Sequence, residues 1–185
     1  MSIVIDANTL SLVFCPTPND DFGPIKEWVV QGAGRIVVGG TKYKEELRRV
    51  SQALRFVNEL NKIGKVLIVS DHDVDRLEEG IKKIVSPKCD DPHLIALIGV
   101  SRCPLICSRD KRADEFLSDC NLYPWKTFRP KIYKGKRHAD KLLINENANA
   151  KCFCDSSHNP NFEKFLENCF KNLQTQIAAS KTPTF

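Results

Sequence analysis

Four short apolar runs, rich in β-branched residues, alternate along this chain with segments that have the apolar spacing of amphipathic helices. The four runs are Ser2–Asp6, Arg35–Val38, Lys65–Ser70 and Pro104–Ser108. Strands that are separated by crossover helices pair in parallel, and the helices then cover both faces of the sheet. The pattern therefore predicts an α/β protein with three layers, α/β/α, around a mainly parallel central sheet.

The segments between the runs carry apolar residues three or four positions apart, as amphipathic helices do. The predicted helices are Asp21–Gln31, a long helix from Thr41 to about Lys62, Asp73–Val85 and His93–Val100. After about Leu122 the alternation ends, and a last amphipathic pattern runs from about Asn161 to Ala178. We therefore divide the chain into a domain over residues 1–122 and a basic, helical C-terminal extension over residues 123–185, packed on the domain or following it.

The composition argues against a membrane-spanning protein and against a secreted one. No window approaches the roughly 20 consecutive apolar residues that a membrane-spanning helix needs, and the N-terminus lacks the basic and apolar regions of a signal peptide. The eight cysteines lie mostly inside apolar runs, whereas a disulfide scaffold places them in loops. We expect a cytoplasmic protein with reduced thiols and no membrane partner.

Acidic residues follow the predicted strands or begin the helices beside them. Asp6 and Asp110 stand at the carboxyl ends of two strands. Asp91 lies at the N-terminus of the helix that directly precedes the strand ending near Asp110. Glu45 or Glu46 lies in the first turn of the helix after the second strand. Because the carboxyl ends of parallel strands form one edge of the sheet, we expect these acids to converge. Clustered carboxylates raise one another's pKa unless a cation compensates, and all-oxygen ligands favour Mg²⁺ or Mn²⁺ over Zn²⁺.

Four short motifs occur in order along roughly the first 120 residues. They are Ile3-Val-Ile-Asp6-Ala-Asn8, Glu46-Leu47, Asp91-Pro-His-Leu-Ile-Ala-Leu, and Cys107-Ser108-Arg-Asp110 followed by Asp114 and Phe116. Each motif is short, but four of them in this order and in these strand and helix contexts are together fairly specific. Together they resemble the ordered motifs of PIN-domain ribonucleases.

The resemblance implies a PIN-like fold and a metal-dependent endoribonuclease, in which a metal-activated water hydrolyses a phosphodiester of single-stranded or structured RNA. The implied ligands of one or two Mg²⁺ or Mn²⁺ ions are Asp6, Glu46, Asp91 and Asp110. Supporting roles fall to Asn8, Ser108 and Asp114, and within the two acidic doublets the neighbours Glu45 and Asp90 stay as alternatives. A toxin or defence-system effector and an RNA-processing enzyme are both roles that the resemblance allows.

A basic cluster lies beyond the acidic motifs. Five of its residues are predicted to contact RNA phosphates: Arg129, Lys131, Lys134, Lys136 and Arg137. The aromatic residues Trp125, Phe128 and Tyr133 are interleaved with these cations. Bases of single-stranded nucleic acid stack on aromatic side chains in such basic surfaces. The alternative is that the cations are solvated and the aromatic residues attach the extension to the domain. Besides RNA, a protein inhibitor, another component of the same system and a second copy of the chain stay open as partners.

Other residues support alternatives of a different class. Cys152, Cys154, His158 and Cys169 can be drawn as a zinc site, although their spacing matches no standard zinc motif. His93 is expected to have a structural role near the start of its helix. A catalytically silent PIN-like module that binds nucleic acid or acts as a scaffold would gain nothing from bare carboxylates facing phosphates. A phosphatase-like or receiver-like domain would need Lys and Thr at strand ends, which this pattern does not supply.

Overall fold

Five parallel strands form the centre of the protein in a computed structural model, which describes residues 1–14, 19–123 and 128–144. The strands are β1 (Ser2–Ile5), β2 (Arg35–Val38), β3 (Val66–Ile68), β4 (Leu105–Cys107) and β5 (Lys131–Tyr133). Their order across the sheet is β3-β2-β1-β4-β5, and every neighbouring pair is parallel. The predicted α/β class with a parallel sheet is confirmed.

Eight α-helices are found in the described part of the chain, an arrangement consistent with a three-layer α/β/α fold. They are α1 (Ala7–Val13), α2 (Gly23–Val30), α3 (Thr41–Arg49), α4 (Ser51–Lys62), α5 (Asp71–Lys82), α6 (Pro92–Ser101), α7 (Ala113–Ser118) and α8 (Ala139–Leu142). Among these residues no helix has both the length and the apolar character that crossing a bilayer requires. The predicted helix Asn161–Ala178, Trp125 and the four residues of the zinc alternative lie outside the described residues.

The sheet continues beyond the boundary that the sequence placed at residue 122. Strand β5 pairs with β4 through Leu105 and Lys131, Ile106 and Ile132, and Cys107 and Tyr133. It has only three residues, begins with an exposed Lys and follows Pro130, so it lacks the continuous apolar run by which the other strands were recognised. The start of the predicted extension is therefore an edge strand of the central sheet.

The predicted long helix from Thr41 to Lys62 is wrong in one respect, because the chain leaves the helical conformation at Val50. That residue has φ −107° and ψ 81°, and it separates α3 from α4. Tyr43 and Leu47 of α3 are buried, and so are Val57 and Leu60 of α4. The break lets two apolar faces reach the core from different directions, although their spacing in the sequence reads as one continuous pattern.

Hydrogen bonds fix α3 against the sheet and against α5. The hydroxyl of Tyr43, which is 1% exposed, donates a hydrogen bond of 2.5 Å to the carbonyl oxygen of Ile5, the last residue of β1. At the start of α3, the Asp71 carboxylate accepts the N–H of Gly40 at 2.9 Å, and the Asp75 carboxylate accepts the N–H of Thr41 at 2.7 Å. These bonds satisfy donors that a helix N-terminus leaves without intrahelical partners.

Gly40 leads from β2 into α3 with φ +83°, and a Cβ atom there would lie 2.6 Å from Cγ1 of Val74. Gly64 has a similar φ of +71°, but a Cβ atom there would meet open space.

We expect Gly64→Ala to lower the free energy of unfolding by about 1 kcal/mol, the cost of a left-handed conformation for a residue with a side chain. Gly40→Ala should cost about 1–3 kcal/mol more, because a steric clash is added to that conformational cost. Urea unfolding checks this, and equal losses in the two variants would contradict it.

Candidate metal centre

The carboxyl ends of β1 and β4 mark the place where the strand order reverses. From β1 the chain builds the sheet outward through β2 and β3, and it then returns to the other side of β1 to add β4 and β5. In open parallel sheets a crevice forms outside the strand ends at such a point, and ligands bind there. Asp6 follows β1 and Ser108 follows β4, so both residues lie at this crevice.

Asp6 is held by two short hydrogen bonds. Its Oδ1 accepts the backbone N–H of Asn8 at 2.9 Å, and its Oδ2 accepts the hydroxyl of Ser108 at 3.0 Å. Ser108 is fully buried and Asp6 is 6% exposed. Asp6 is thus the N-cap of α1 and a carboxylate oriented by Ser108 at the same time. Asn8 contacts Asp6 through its backbone N–H, and the residue itself is exposed.

Glu46, Asp91 and His93 form the tightest group of potential ligands in the part of the chain that is described. One oxygen of each carboxylate and one ring nitrogen of the imidazole all lie within 4.8 Å of one another. Nε2 of His93 is 3.1 Å from Oε2 of Glu46, yet in the described residues it has no partner with hydrogen-bond geometry. Because His93 is 2% exposed, this nitrogen is a buried polar atom that faces a carboxylate and lacks a hydrogen bond. These three residues could hold a metal ion.

Asp91 occupies the N-cap position of α6, but its side chain makes no capping hydrogen bond. A carboxylate that served only as a cap would accept an N–H of the first helical turn. Pro92 follows it, so the first residue of the helix has no N–H to offer. The carboxylate of Asp91 instead belongs to the group formed with Glu46 and His93.

The electrostatics of the centre show how close its acids are. The pKa of Asp91 is raised to about 6, mainly by burial and then by the negative charges of Asp6, Glu46, Asp110 and Asp90. Burial is also the main reason that the pKa of Glu46 is raised, with Asp6 contributing. Burial lowers the pKa of His93 to about 4, so its imidazole is neutral near pH 7 and has a lone pair to donate.

Asp110 lies three residues beyond the end of β4, not at the strand end itself, and its carboxylate is already paired. The Arg112 guanidinium holds the pKa of that carboxyl below its usual range, with Nη2 of Arg112 3.0 Å from Oδ2. Nη1 of the same guanidinium is 3.2 Å from Oδ2 of Asp90, whose side chain is exposed. Asp90 and Asp110 therefore meet through Arg112, on the exposed side of the centre.

The two residues of the doublet Glu45 and Glu46 differ in how far they are buried. Glu46 is partly buried and belongs to the ligand group, whereas its neighbour Glu45 is exposed. Residues on a helix that are next to each other point about 100° apart, so only one of the two faces the crevice. Nζ of Lys42 lies 3.9 Å from Oε1 of Glu46, and the positive charges of Lys42 and Arg49 offset part of the rise in the pKa of Glu46.

The predicted phosphate-binding residues do not form one surface. Arg129 and Lys131 precede or begin β5, at the amino edge of the sheet, whereas Lys134, Lys136 and Arg137 follow its carboxyl end. Lys134 is only 19% exposed; its ammonium is paired with Asp114 and donates to the carbonyl oxygen of Asp110 at 3.2 Å. Lys136 and Arg137 are exposed and lie on the same edge of the sheet as the acids.

The predicted role of Tyr133 in base stacking is wrong. Tyr133 is fully buried, and its hydroxyl donates to the carbonyl oxygen of Asp21 at 2.8 Å. Phe128 is partly buried and packs edge-on against Tyr123, with ring centroids 5.5 Å apart. For these two aromatic residues the alternative is correct, because they attach the chain after residue 122 to the domain.

Sequence reasoning missed that His93 joins Glu46 and Asp91, and it missed the pairing of Arg112 with Asp110 and Asp90. A signal for the first was present in the sequence, because His93 is the one ionisable side chain in a largely apolar helix. A buried imidazole in an apolar helix requires a polar partner. Arg112 gave no comparable signal, since an Arg two residues after an Asp is common on exposed surfaces.

Comparison with known proteins found no matching family model, no matching curated protein and no matching solved structure.

The raised pKa of Asp91 predicts how its removal changes stability with pH. Above about pH 6 the folded protein carries an ionised Asp91 that its surroundings disfavour, and this cost disappears as the pH falls toward 4 and the carboxyl is protonated in the folded state. Asp91→Asn should therefore raise the melting temperature in EDTA clearly at pH 7.5 and about half as much at pH 5, which lies midway between the ordinary and the raised pKa of this carboxyl. His93 acts in the opposite direction, because stability from the neutral imidazole is lost below about pH 6.5; it is present in both proteins and cancels in the difference.

Asp90→Asn is the matched control, because Asp90 is the exposed neighbour. Since it removes one exposed charge, it should change the melting temperature at pH 7.5 less than Asp91→Asn does. If Asp91→Asn changes the melting temperature equally at pH 5 and pH 7.5, the raised pKa of Asp91 is contradicted.

Proposed function

We propose that this chain is a divalent-metal-dependent endoribonuclease of the PIN-like type. The observation that carries the proposal is the convergence of Glu46, Asp91 and His93, with Asp6 close enough to raise the pKa of Asp91, at the strand ends where the sheet order reverses. A group of carboxylates that disfavour one another's charge is suited to a cation more than to an anion or an apolar ligand. The order of the motifs along the chain supports the PIN-like assignment.

The donor set fits a divalent ion and narrows its identity. Glu46 and Asp91 would supply carboxylate oxygens, and His93 would supply a neutral imidazole nitrogen that has no hydrogen bond of its own. Mg²⁺ strongly prefers oxygen ligands, whereas Mn²⁺ accepts oxygen together with imidazole nitrogen. Of the two ions that the sequence pointed to, we therefore favour Mn²⁺. When bound, such an ion lowers the pKa of a water molecule and neutralises charge that develops on the phosphoryl oxygens.

The remaining chemistry belongs to the chain itself. Ser108 holds the Asp6 carboxylate in a fixed orientation toward the crevice, so that this acid needs no rearrangement to take part. Lys136 and Arg137 offer exposed positive charge on the same edge of the sheet, where they would bind RNA phosphates on either side of the cleaved bond. Lys134 would position this basic segment through Asp114 and the backbone of Asp110.

One observation favours the second candidate, a catalytically silent PIN-like module that binds nucleic acid or acts as a scaffold. Arg112 neutralises Asp110, one of the four predicted ligands, with a cation from the chain itself. A module without an ion would use such a pairing to offset the repulsion among its acids. Partners beyond RNA, such as an inhibitor or a second copy, and the biological role as a toxin, defence effector or processing enzyme, belong to this proposal as open possibilities.

Cleavage of a single-stranded RNA in Mn²⁺ separates the two candidates. The purified chain should cleave the RNA with Mn²⁺ and lose the activity in EDTA. Glu46→Gln should reduce the rate at least about a hundredfold, because a charged metal ligand is lost. Its matched control, Glu45→Gln, changes the exposed neighbour and should keep more than half of the activity.

Binding of RNA without cleavage in any divalent ion would support the silent module and contradict the nuclease. Cleavage that persists in EDTA would contradict the metal-dependent mechanism. A dead Glu45→Gln beside an active Glu46→Gln would show that the assignment within the doublet is wrong.

A further inference from the structure

Arg112 ties together two acids on the exposed side of the metal centre. Its Nη2 lies 3.0 Å from Oδ2 of Asp110, its Nε lies 3.3 Å from Oδ1 of Asp110, and its Nη1 lies 3.2 Å from Oδ2 of Asp90. A planar guanidinium has pairs of parallel N–H groups, and these bind carboxylates and phosphates equally well in geometry. All three residues border the same depression as Asp91.

The Arg112 guanidinium occupies the place that a metal cation would take beside the predicted ligand Asp110. Asp110 is one of the acids that raise the pKa of Asp91, so its charge belongs to the same electrostatic group. With Arg112 in place, both oxygens of Asp110 already accept hydrogen bonds. An ion that used Asp110 would therefore compete with this guanidinium for the carboxylate and would be repelled by its positive charge.

The pairing can open at small cost. The side chain of Arg112 is 75% exposed, and exposed ion pairs contribute little to stability. The backbone N–H of Arg112 separately donates to Oδ1 of Asp110 at 2.8 Å, so the turn that carries Asp110 does not depend on the guanidinium. The side chain is thus free to leave while Asp110 keeps its orientation.

We propose that Arg112 competes with the divalent ion for Asp110 and, once displaced, binds a phosphate group of the RNA substrate. This inference rests on the proposed nuclease function and gives Arg112 two successive partners, a carboxylate in the metal-free protein and a phosphate in the loaded one. The exchange couples the two ligands: ion binding frees the phosphate-binding group, and by reciprocity phosphate binding to Arg112 favours the ion.

Calorimetric titration with Mn²⁺ alone, without RNA, tests the competition. Arg112→Gln should bind Mn²⁺ about fivefold more tightly than the wild type, because the competing exposed ion pair has been removed. Arg109→Gln is the matched control: it removes one exposed positive charge three residues away, from a side chain to which no ion pair is assigned within the described residues, and it should change the affinity less than about twofold. Arg112→Lys, which keeps the charge but loses the planar fork, should fall between the wild type and Arg112→Gln.

Rates of RNA cleavage at saturating Mn²⁺ test the second partner. Arg112→Gln should lower kcat/KM about tenfold despite its tighter ion binding, because a charge-assisted hydrogen bond to phosphate is lost. Arg109→Gln should stay close to the wild type. A rate that is unchanged or higher in Arg112→Gln would overturn the phosphate-binding role.

The calorimetric result also separates failure of this inference from failure of the proposed function. Equal Mn²⁺ affinity in the wild type and Arg112→Gln, or weaker affinity in the variant, would overturn the competition while leaving a metal-dependent nuclease in place. If none of the proteins binds Mn²⁺, the proposed function falls, and the inference falls with it.

Discussion

The candidate metal centre is dominated by the repulsion among acidic side chains that lie together at one edge of the parallel sheet. The strand order brings Asp6 to the carboxyl edge from β1, while α3 and α6 bring Glu46 and Asp91 to the same place. The raised pKa values of Asp91 and Glu46 are the direct consequence of holding these acids in partly buried positions. No cation in the described residues forms an ion pair with Asp91, and Glu46, Asp91 and His93 could together hold a metal ion.

The centre has a buried half and an exposed half, and the packing of the fold explains both. Asp6 is fixed by Ser108, and α3 is fixed to the end of β1 by the hydroxyl of Tyr43. Helix α6 is buried along its whole length, so His93 cannot turn away from Glu46 without disturbing the core. Asp90, Asp110 and Arg112 lie in exposed or partly exposed segments, where side chains change partners at small cost. Our proposal for ion and phosphate binding requires both properties: ligands held in place by the core, and an Arg112 side chain that can change partners.

The alternation of β-branched runs with helical spacing was enough to predict a parallel α/β sheet, because that inference depends only on local periodicity and connection length. It was not enough for β5, whose three residues Lys131, Ile132 and Tyr133 join the sheet through a neighbouring strand and carry no local pattern. The break at Val50 was missed for a similar reason, since the spacing of apolar residues runs on through it while the tertiary packing does not.

For the candidate site, the order of the acids along the chain predicted that they share an edge, but not how they are paired. Whether Asp110 faces an ion or Arg112, and whether Lys134 faces RNA or Asp114, depends on side chains that only the folded chain brings together. Burial was equally hidden: Tyr133 reads in the sequence as an aromatic residue among cations, and it is fully enclosed in the fold. His93 could have been predicted, because an ionisable residue in an otherwise apolar helix demands a partner.

Anomalous scattering from crystals soaked in Mn²⁺ tests the central claim most directly, because it locates the ion without relying on activity. We predict one peak within about 2.0–2.6 Å of carboxylate oxygens of both Glu46 and Asp91, in the range of metal–oxygen distances in proteins. The same peak should lie within bonding distance of Nε2 of His93. A fully soaked crystal with no peak at this edge of the sheet, or with its only peak beside acids remote from Glu46 and Asp91, would contradict the account.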